Sequence, residues 1–149
     1  MINGHLPELS PHVKSVIDDL LRKAGEAKRA GDLQRSEEAR LAAWRVLPEP
    51  KLGWEFYSNI MPRNNLIFYR DARQFDKAQQ WLAITRESYG PGRNEVIEFF
   101  AATLWFEMGD LDRAYGEFAR QFQAGRTRPF QGQDKKYLDF YLKRSARKP

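Results

Sequence analysis

The stretch "MGDLDRAYGEFARQF", residues 108–122, decides how the chain folds. A similar stretch, "AGDLQRSEEARLAAW", occupies residues 30–44. In each, Gly-Asp-Leu precedes a run of residues with helical spacing. A glycine here accepts the left-handed conformation that ends one helix, and the following run predicts that another helix begins at once. The two stretches therefore predict a repeated structural unit: a turn followed by the second helix of a hairpin.

Helical periodicity extends over most of the chain, and no segment alternates between apolar and polar residues as a strand does. Ser10 and Asn94 are placed to cap the first and fifth helices, and Pro62 either kinks or restarts the third. The predicted fold class is all-α, in a single domain of residues 1–149. The pattern predicts seven helices with short connections, over residues 11–30, 33–47, 54–72, 75–89, 95–108, 111–122 and 134–147.

Three turn positions align with one another: Gly31, Arg73 and Gly109, spaced 42 and 36 residues apart. A small residue lies five positions after each turn: Ser36, Ala78 and Ala114. Large aromatic residues lie four positions before the second and third turns and nine positions after the third: Tyr69, Trp105 and Phe118. Small residues let two helices approach closely, and aromatic residues fill the space between hairpins.

This alignment resembles the tetratricopeptide repeat (TPR) family, whose period is about 34 residues. The sequence departs from the family pattern at Arg73, which replaces the turn glycine, at Arg40, where an aromatic residue is usual, and in the extra residues 51–58. An ordinary helical bundle is the alternative. The resemblance implies a right-handed α-solenoid of three hairpins and a capping helix, at about 17–50, 59–92, 95–128 and 134–147.

Few residues suit catalysis or metal binding. The chain has no cysteine, and its two histidines, His5 and His12, have no nearby set of further ligands. The segment "GPGRN", residues 90–94, precedes a helix as a phosphate-binding loop does, but it lacks the Walker spacing and is interpreted as a turn between repeats. We therefore expect no catalytic residue, metal, cofactor or small-molecule substrate, and a binding protein rather than an enzyme.

Charge is unevenly distributed. The chain carries a net charge of +5, with eight Lys/Arg against two Asp in residues 126–149 and a nearly neutral remainder. A basic end suits an acidic protein, nucleic acid or a membrane surface, or it is a solvated helix without a partner. The chain has no apolar run of membrane-spanning length and no signal-like start, so we expect a cytoplasmic protein that does not contact a membrane.

In the TPR family, the first helix of each hairpin lines a concave face. Carried onto this chain, that face includes Leu21 and Gly25, where a chaperone-binding clamp requires Lys and Asn, so such a clamp is disfavoured. Two aromatic residues of the last helix complete the expected site. The residues expected to contact a partner are Lys28, Arg63, Ile67, Arg70, Phe99, Thr103, Phe106, Tyr137 and Tyr141. Their cations and aromatic rings suit an acidic protein surface with apolar anchors.

A second resemblance rests on three segments: "LPEPK" (47–51), "FYRDARQFDKAQQWLAITRESYGP" (68–91) and "RPFQGQDKKYLDFY" (128–141). They are similar to small TPR-like immunity proteins encoded beside bacterial polymorphic (Rhs-type) toxins. The resemblance implies a protein that binds a cognate toxin domain stoichiometrically and occludes its active site. The alternatives are a TPR scaffold or adaptor for another protein or peptide and, less favoured, a nucleic-acid-binding helical repeat.

Overall fold

A computed structural model describes residues 8–147 of the chain. This part is all-α: it contains seven α-helices and a short 3-10 helix, and no strand. The prediction of seven helices is thereby confirmed. None of the helices in this part is both long and apolar enough to cross a membrane. The helices are α1 (Pro11–Arg29), α2 (Leu33–Val46), α3 (Tyr57–Asp71), α4 (Phe75–Ser88), α5 (Glu95–Met108), α6 (Leu111–Gly125) and α7 (Lys135–Arg147), with the 3-10 helix at Arg128–Phe130.

Local signals place most helix ends. The Ser10 hydroxyl accepts a hydrogen bond from the backbone N–H of Val13 (3.3 Å) and so caps α1. The Asn94 side chain accepts bonds from the first turn of α5, as predicted. The helix α3 runs through Pro62 without a break. Two predictions were wrong in detail: α3 begins three residues after Trp54, and the predicted loop after residue 122 contains the end of α6 and the 3-10 helix.

The three aligned turns have the same backbone geometry. Gly31, Arg73 and Gly109 all adopt positive φ, at 80°, 60° and 88°. In each turn the N–H of this residue bonds to the carbonyl three positions earlier (3.0–3.1 Å), and the next N–H bonds to the carbonyl five positions before it (2.8–2.9 Å). This pair of bonds closes a helix in a Schellman-type turn. Arg73 therefore takes the same left-handed conformation as the two glycines.

Contacts divide the chain into two compact units, Met1–Asn65 and Leu66–Pro149, and we call them the N-terminal and C-terminal units. The expectation of a single domain stays a prediction. In the N-terminal unit α1 packs on α2, and the buried Ser36 hydroxyl donates to the Ala24 carbonyl (2.8 Å). The core of this unit consists of Ile17, Ala43, Leu47, Tyr57 and Met61.

In the C-terminal unit α5 packs against α4 and α6, and α6 packs against α7 and the 3-10 helix. The small residue Ala114 is fully buried, as expected for a position where helices approach closely. One cluster of the buried residues of this unit is largely aromatic, and we call it the aromatic core: it contains Phe99, Ala102, Ala114, Phe118, Phe130, Tyr137 and Tyr141. The 3-10 helix belongs to this core because the Phe130 ring meets Phe99 edge-on at 5.0 Å between centroids.

Candidate functional site

The structure separates the nine expected contact residues by burial. Five are buried: Arg70, Phe99, Thr103, Tyr137 and Tyr141. The other four, Lys28, Arg63, Ile67 and Phe106, are partly exposed. Buried side chains offer little surface to a partner, and in this conformation the five pack or form hydrogen bonds within the unit. Their direct contact with a partner stays a prediction.

Four of the nine residues form one polar and aromatic cluster of the C-terminal unit: Arg70 contacts Thr103 and the Tyr137 ring, and Tyr137 contacts Phe106. The guanidinium of Arg70, at the end of α3, donates to the Thr103 hydroxyl of α5 (2.9 Å) and to the Asp71 carboxylate (2.9 Å). The Thr103 hydroxyl donates in turn to the Phe100 carbonyl (2.7 Å). Because the Arg70 side chain is only 10% exposed and fully engaged, its function is to join α3 to α5.

A single carboxylate, that of Glu107, organises the surface of this cluster. It accepts a hydrogen bond from the Tyr137 hydroxyl (2.9 Å) and forms an ion pair with Lys136 (2.8 Å), and both of these residues are on α7. Arg73 approaches from the α3–α4 turn, with its guanidinium 3.6 Å from the same carboxylate and 3.2 Å from the Glu107 carbonyl oxygen. Glu107 is 11% exposed, whereas Arg73 and Lys136 are 64% and 46% exposed. We call Arg73, Phe106, Glu107, Lys136 and Tyr137 the Glu107 cluster.

The aromatic part of the cluster is also ordered. The Phe106 ring meets Tyr137 and Phe140 edge-on, with centroids 5.4 and 5.1 Å apart. The Lys136 ammonium lies 6.0 Å from the Phe106 centroid and 5.4 Å from that of Tyr137, within cation–π range. The cluster thus presents two exposed cations beside a partly exposed ring, all in defined positions.

Burial changes the acid–base behaviour of Tyr137. Loss of solvent raises the pKa of its hydroxyl well above the usual value, the charge of Arg70 lowers it, and the hydrogen bond to Glu107 raises it further. The hydroxyl therefore stays protonated and remains a donor to Glu107. As a donor, the hydroxyl orients the Glu107 carboxylate.

Sequence reasoning missed three members of the cluster: Arg73, Glu107 and Lys136. Arg73 was visible as a departure from the repeat pattern, since a cation replaces the turn glycine. Glu107 and Lys136 directly neighbour the expected residues Phe106 and Tyr137, but sequence alone does not show that they pair.

The other five expected residues are not members of the Glu107 cluster. Phe99 and Tyr141 belong to the aromatic core of the C-terminal unit, which also contains Tyr137. Lys28 and Arg63 lie in the N-terminal unit, and Ile67 is on α3. The shared groove predicted from these residues stays a prediction.

The "GPGRN" segment has no cation left for a phosphate. Arg93 pairs with Glu95 (2.7 Å) and also with Glu117, and these hydrogen bonds raise the pKa of its guanidinium. On the neighbouring helix Arg86 pairs with Glu98 (2.8 Å). With its one cation paired to carboxylates of α5 and α6, the segment forms a turn that fastens α5 to α6.

Within residues 8–147, no group of three or more His, Asp or Glu side chains is arranged to hold a metal ion. His12 is exposed in the first turn of α1, and His5 lies outside the described residues.

The basic end of the chain combines paired and exposed cations. Arg144 of α7 forms an ion pair with Asp112 and lies 4.7 Å from the Tyr115 ring centroid. Lys135, Lys143 and Arg147 are exposed on the same helix. Helix α7 is thus fastened to α6 on one side and cationic on its exposed side.

No protein-family model matches this chain, and no curated protein or solved structure matches it either.

Proposed function

We propose that this chain is a TPR-like α-solenoid that functions as a protein-binding module. Two features support the repeat arrangement. The three turns share one hydrogen-bond pattern, including the turn whose central residue is Arg73. The small residues five positions after each turn, Ser36, Ala78 and Ala114, are completely buried. Repetition of both the turn and the close-packing position is what a stack of helical hairpins requires.

The binding proposal rests on one observation: the Glu107 carboxylate holds Arg73 and Lys136 in place while both stay exposed. A cation that is already ordered loses less conformational freedom on binding. A guanidinium and an ammonium beside the Phe106 ring suit carboxylates that flank an apolar side chain. The partner proposed for this site is therefore a protein with an acidic contact surface.

The resemblance to immunity proteins makes this proposal more specific. In this more specific proposal, the partner is a bacterial toxin domain, and the chain neutralises the toxin by forming a one-to-one complex that covers the toxin's active site. The mechanism needs no turnover. An active site with catalytic carboxylates has the acidic character that the Glu107 cluster would recognise.

The test is co-expression of the chain with the product of the gene next to its own, which the proposal requires to be a toxin, followed by purification and measurement of the complex. We expect growth to be restored and a one-to-one complex to form. The double variant Arg73→Gln/Lys136→Gln removes both charges from exposed side chains, and we expect it to weaken the complex at least tenfold. The variant Arg73→Lys/Lys136→Arg keeps the charges and should retain most of the affinity.

Matched controls separate the possible results. Arg35→Gln removes an exposed cation of α2 in the N-terminal unit and should leave the affinity unchanged. The urea midpoint of unfolding is measured for every variant, so that a loss of affinity is not confused with a loss of stability. A complex that forms without restoring growth would favour the scaffold or adaptor function. If there is neither a complex nor rescue, the immunity proposal is wrong.

The exposed cations Lys135, Lys143 and Arg147 favour nucleic acid as the second candidate partner. Binding to phosphates would weaken steeply as salt concentration rises, because each contact releases counterions. A titration of a labelled single-stranded oligonucleotide at two salt concentrations tests this. If no binding is seen at low salt, the nucleic-acid candidate is eliminated.

A further inference from the structure

Phe56 stands out in the N-terminal unit because it is a large apolar side chain that is 57% exposed. Its backbone φ is +69°, a conformation that non-glycine residues rarely adopt. The Tyr57 N–H bonds to the Glu55 carbonyl (2.7 Å), which makes Phe56 the central residue of a γ-turn with positive φ, the rare and strained form. Phe56 is therefore both exposed and strained.

The same residue breaks a second local rule. The Phe56 carbonyl accepts from the Ile60 N–H (2.9 Å), so Phe56 stands at the N-cap position of α3. Short polar residues are favoured there because they bond to the free N–H groups of the first turn, and phenylalanine cannot do so. The Phe56 ring meets the Tyr57 ring edge-on, with centroids 5.2 Å apart, but more than half of the residue stays exposed. Positions that break local rules for so little packing are typical of functional sites.

The loop before Phe56 is fixed by hydrogen bonds. The Lys51 ammonium donates to carbonyls at the end of α2, among them those of Trp44 (2.6 Å) and Leu47 (2.5 Å). The Trp54 indole N–H donates to the Pro48 carbonyl (2.7 Å), and the Ser58 hydroxyl donates to the Lys51 carbonyl (2.6 Å). These bonds hold the loop against α2 and α3, so Phe56 is presented from an ordered support. An exposed aromatic side chain in a fixed position binds at low entropic cost.

A recess of about 420 Å³ lies beside Phe56, lined by Glu8, Leu9, Lys14, Glu55, Phe56 and Tyr57, which we call the Phe56 surface. Its one cation is engaged, because Lys14 pairs with Asp18 (2.5 Å), and Asp18 also accepts from the Tyr57 hydroxyl (2.6 Å). Glu8 and Glu55 are exposed and form no ion pair within residues 8–147. The Phe56 surface is thus apolar at its centre and acidic at its rim.

We propose that the Phe56 surface is a second protein-contact site, and that it binds a protein segment in which an apolar side chain is flanked by Lys or Arg. The apolar side chain packs against Phe56 and Leu9, and the flanking cations pair with Glu8 and Glu55. The proposal goes beyond the function proposed above, which concerns the C-terminal unit and an acidic partner surface. The charge of the two sites is opposite, so they recognise different features.

The experiment selects a phage-displayed library of random peptides on the full chain, with the Phe56→Ala chain as the counter-selection. We expect enriched peptides to contain an apolar residue beside Lys or Arg. We expect Phe56→Ala and Glu55→Lys each to weaken their binding at least tenfold, whereas Leu33→Ala, which removes another exposed apolar side chain of this unit, leaves it unchanged. The double variant Arg73→Gln/Lys136→Gln should also bind these peptides normally, so the outcome is independent of the Glu107 cluster.

A stability measurement distinguishes a binding residue from a structural one. Phe56→Gly removes the side chain and relieves the positive φ, so it should abolish peptide binding while the urea midpoint stays the same or rises. If Phe56→Gly lowers the midpoint, the side chain is structural and the proposal is wrong. Failure to enrich any peptide over the Phe56→Ala chain, or selected peptides without basic residues, would also overturn it.

Discussion

Replacement of Arg73 by glycine and by alanine measures the strain stored in the turn between α3 and α4. Arg73 holds a φ of +60° at the place where the equivalent turns have Gly31 and Gly109. A side chain in the left-handed region costs roughly 1–2 kcal/mol, whereas glycine in the unfolded chain costs about 0.4–1 kcal/mol of extra conformational entropy. We therefore expect Arg73→Gly to be more stable than Arg73→Ala by ~1 kcal/mol.

The alanine variant is the necessary reference because the Arg73 side chain has contacts of its own. Its guanidinium lies 3.6 Å from the Glu107 carboxylate and 5.0 Å from the Phe75 ring centroid. With the side chain 64% exposed, these contacts contribute only about 0–1 kcal/mol. Both variants lose the contacts, and only the glycine variant relieves the backbone, so their difference isolates the strain.

The reverse substitution at Gly109 gives an internal check. A methyl group added to Gly109 meets no other atom within 4 Å, so Gly109→Ala changes only the backbone preference. The same holds for Gly31. If the three turns are equivalent, the alanine variant at each position should be less stable than the glycine form by the same ~1 kcal/mol.

The assay is urea denaturation followed by circular dichroism, with the midpoint compared at unchanged slope. A difference of ~1 kcal/mol corresponds to about 2–4 °C in melting temperature for a chain of this size. Equal stability of Arg73→Gly and Arg73→Ala would show that the turn is not strained. A neutral Gly109→Ala would refute the equivalence of the turns.

Two further predictions concern the C-terminal unit. Burial raises the pKa of Tyr137, so the unfolded chain loses this proton at lower pH than the folded chain does; the associated stability is present below the usual pKa of 10.0 and is lost as pH rises above it. Tyr137→Phe should therefore make the fall in the urea midpoint above that pH less steep. An identical fall in the variant and in the original chain would contradict the assignment. Ala114 is completely buried where helices approach closely, so Ala114→Leu should lower the free energy of unfolding by ~1–3 kcal/mol. Ala124→Leu, on the exposed side of the same helix, should change that free energy little. Equal effects of the two substitutions would contradict close packing at Ala114.

The sequence predicted the helices better than the candidate site. The limits of α5, from Glu95 to Met108, follow from the cap at Asn94 and the glycine at 109, and both signals act within a few residues. The start of α3 was missed because Phe56 adopts a φ of +69°, which a right-handed helix does not contain, and because the Trp54 indole and the Ser58 hydroxyl bond back to the preceding loop. Those bonds depend on how the loop folds back, which periodicity does not report.

In the candidate site, too, the sequence predicted the local features but not those that depend on how the chain folds back. Arg70 was expected to face a partner, but it lies inside the unit and bonds to Thr103. Conversely, Phe56 was not among the residues expected to contact a partner, and the structure places it on the surface. Residue type gives the chemistry that a side chain offers, whereas its exposure depends on packing around it.

The sequence by itself determined the helices, the position of the three turns and the small residues that let helices approach. These features arise from contacts between residues no more than five positions apart, such as the bond from the Asp110 N–H to the Trp105 carbonyl. Tertiary structure alone decided which cations are held by carboxylates and which aromatic residues are exposed. The bonds that fix them join residues 33 positions apart, Arg70 and Thr103, and 30 positions apart, Tyr137 and Glu107, and only folding brings such residues together.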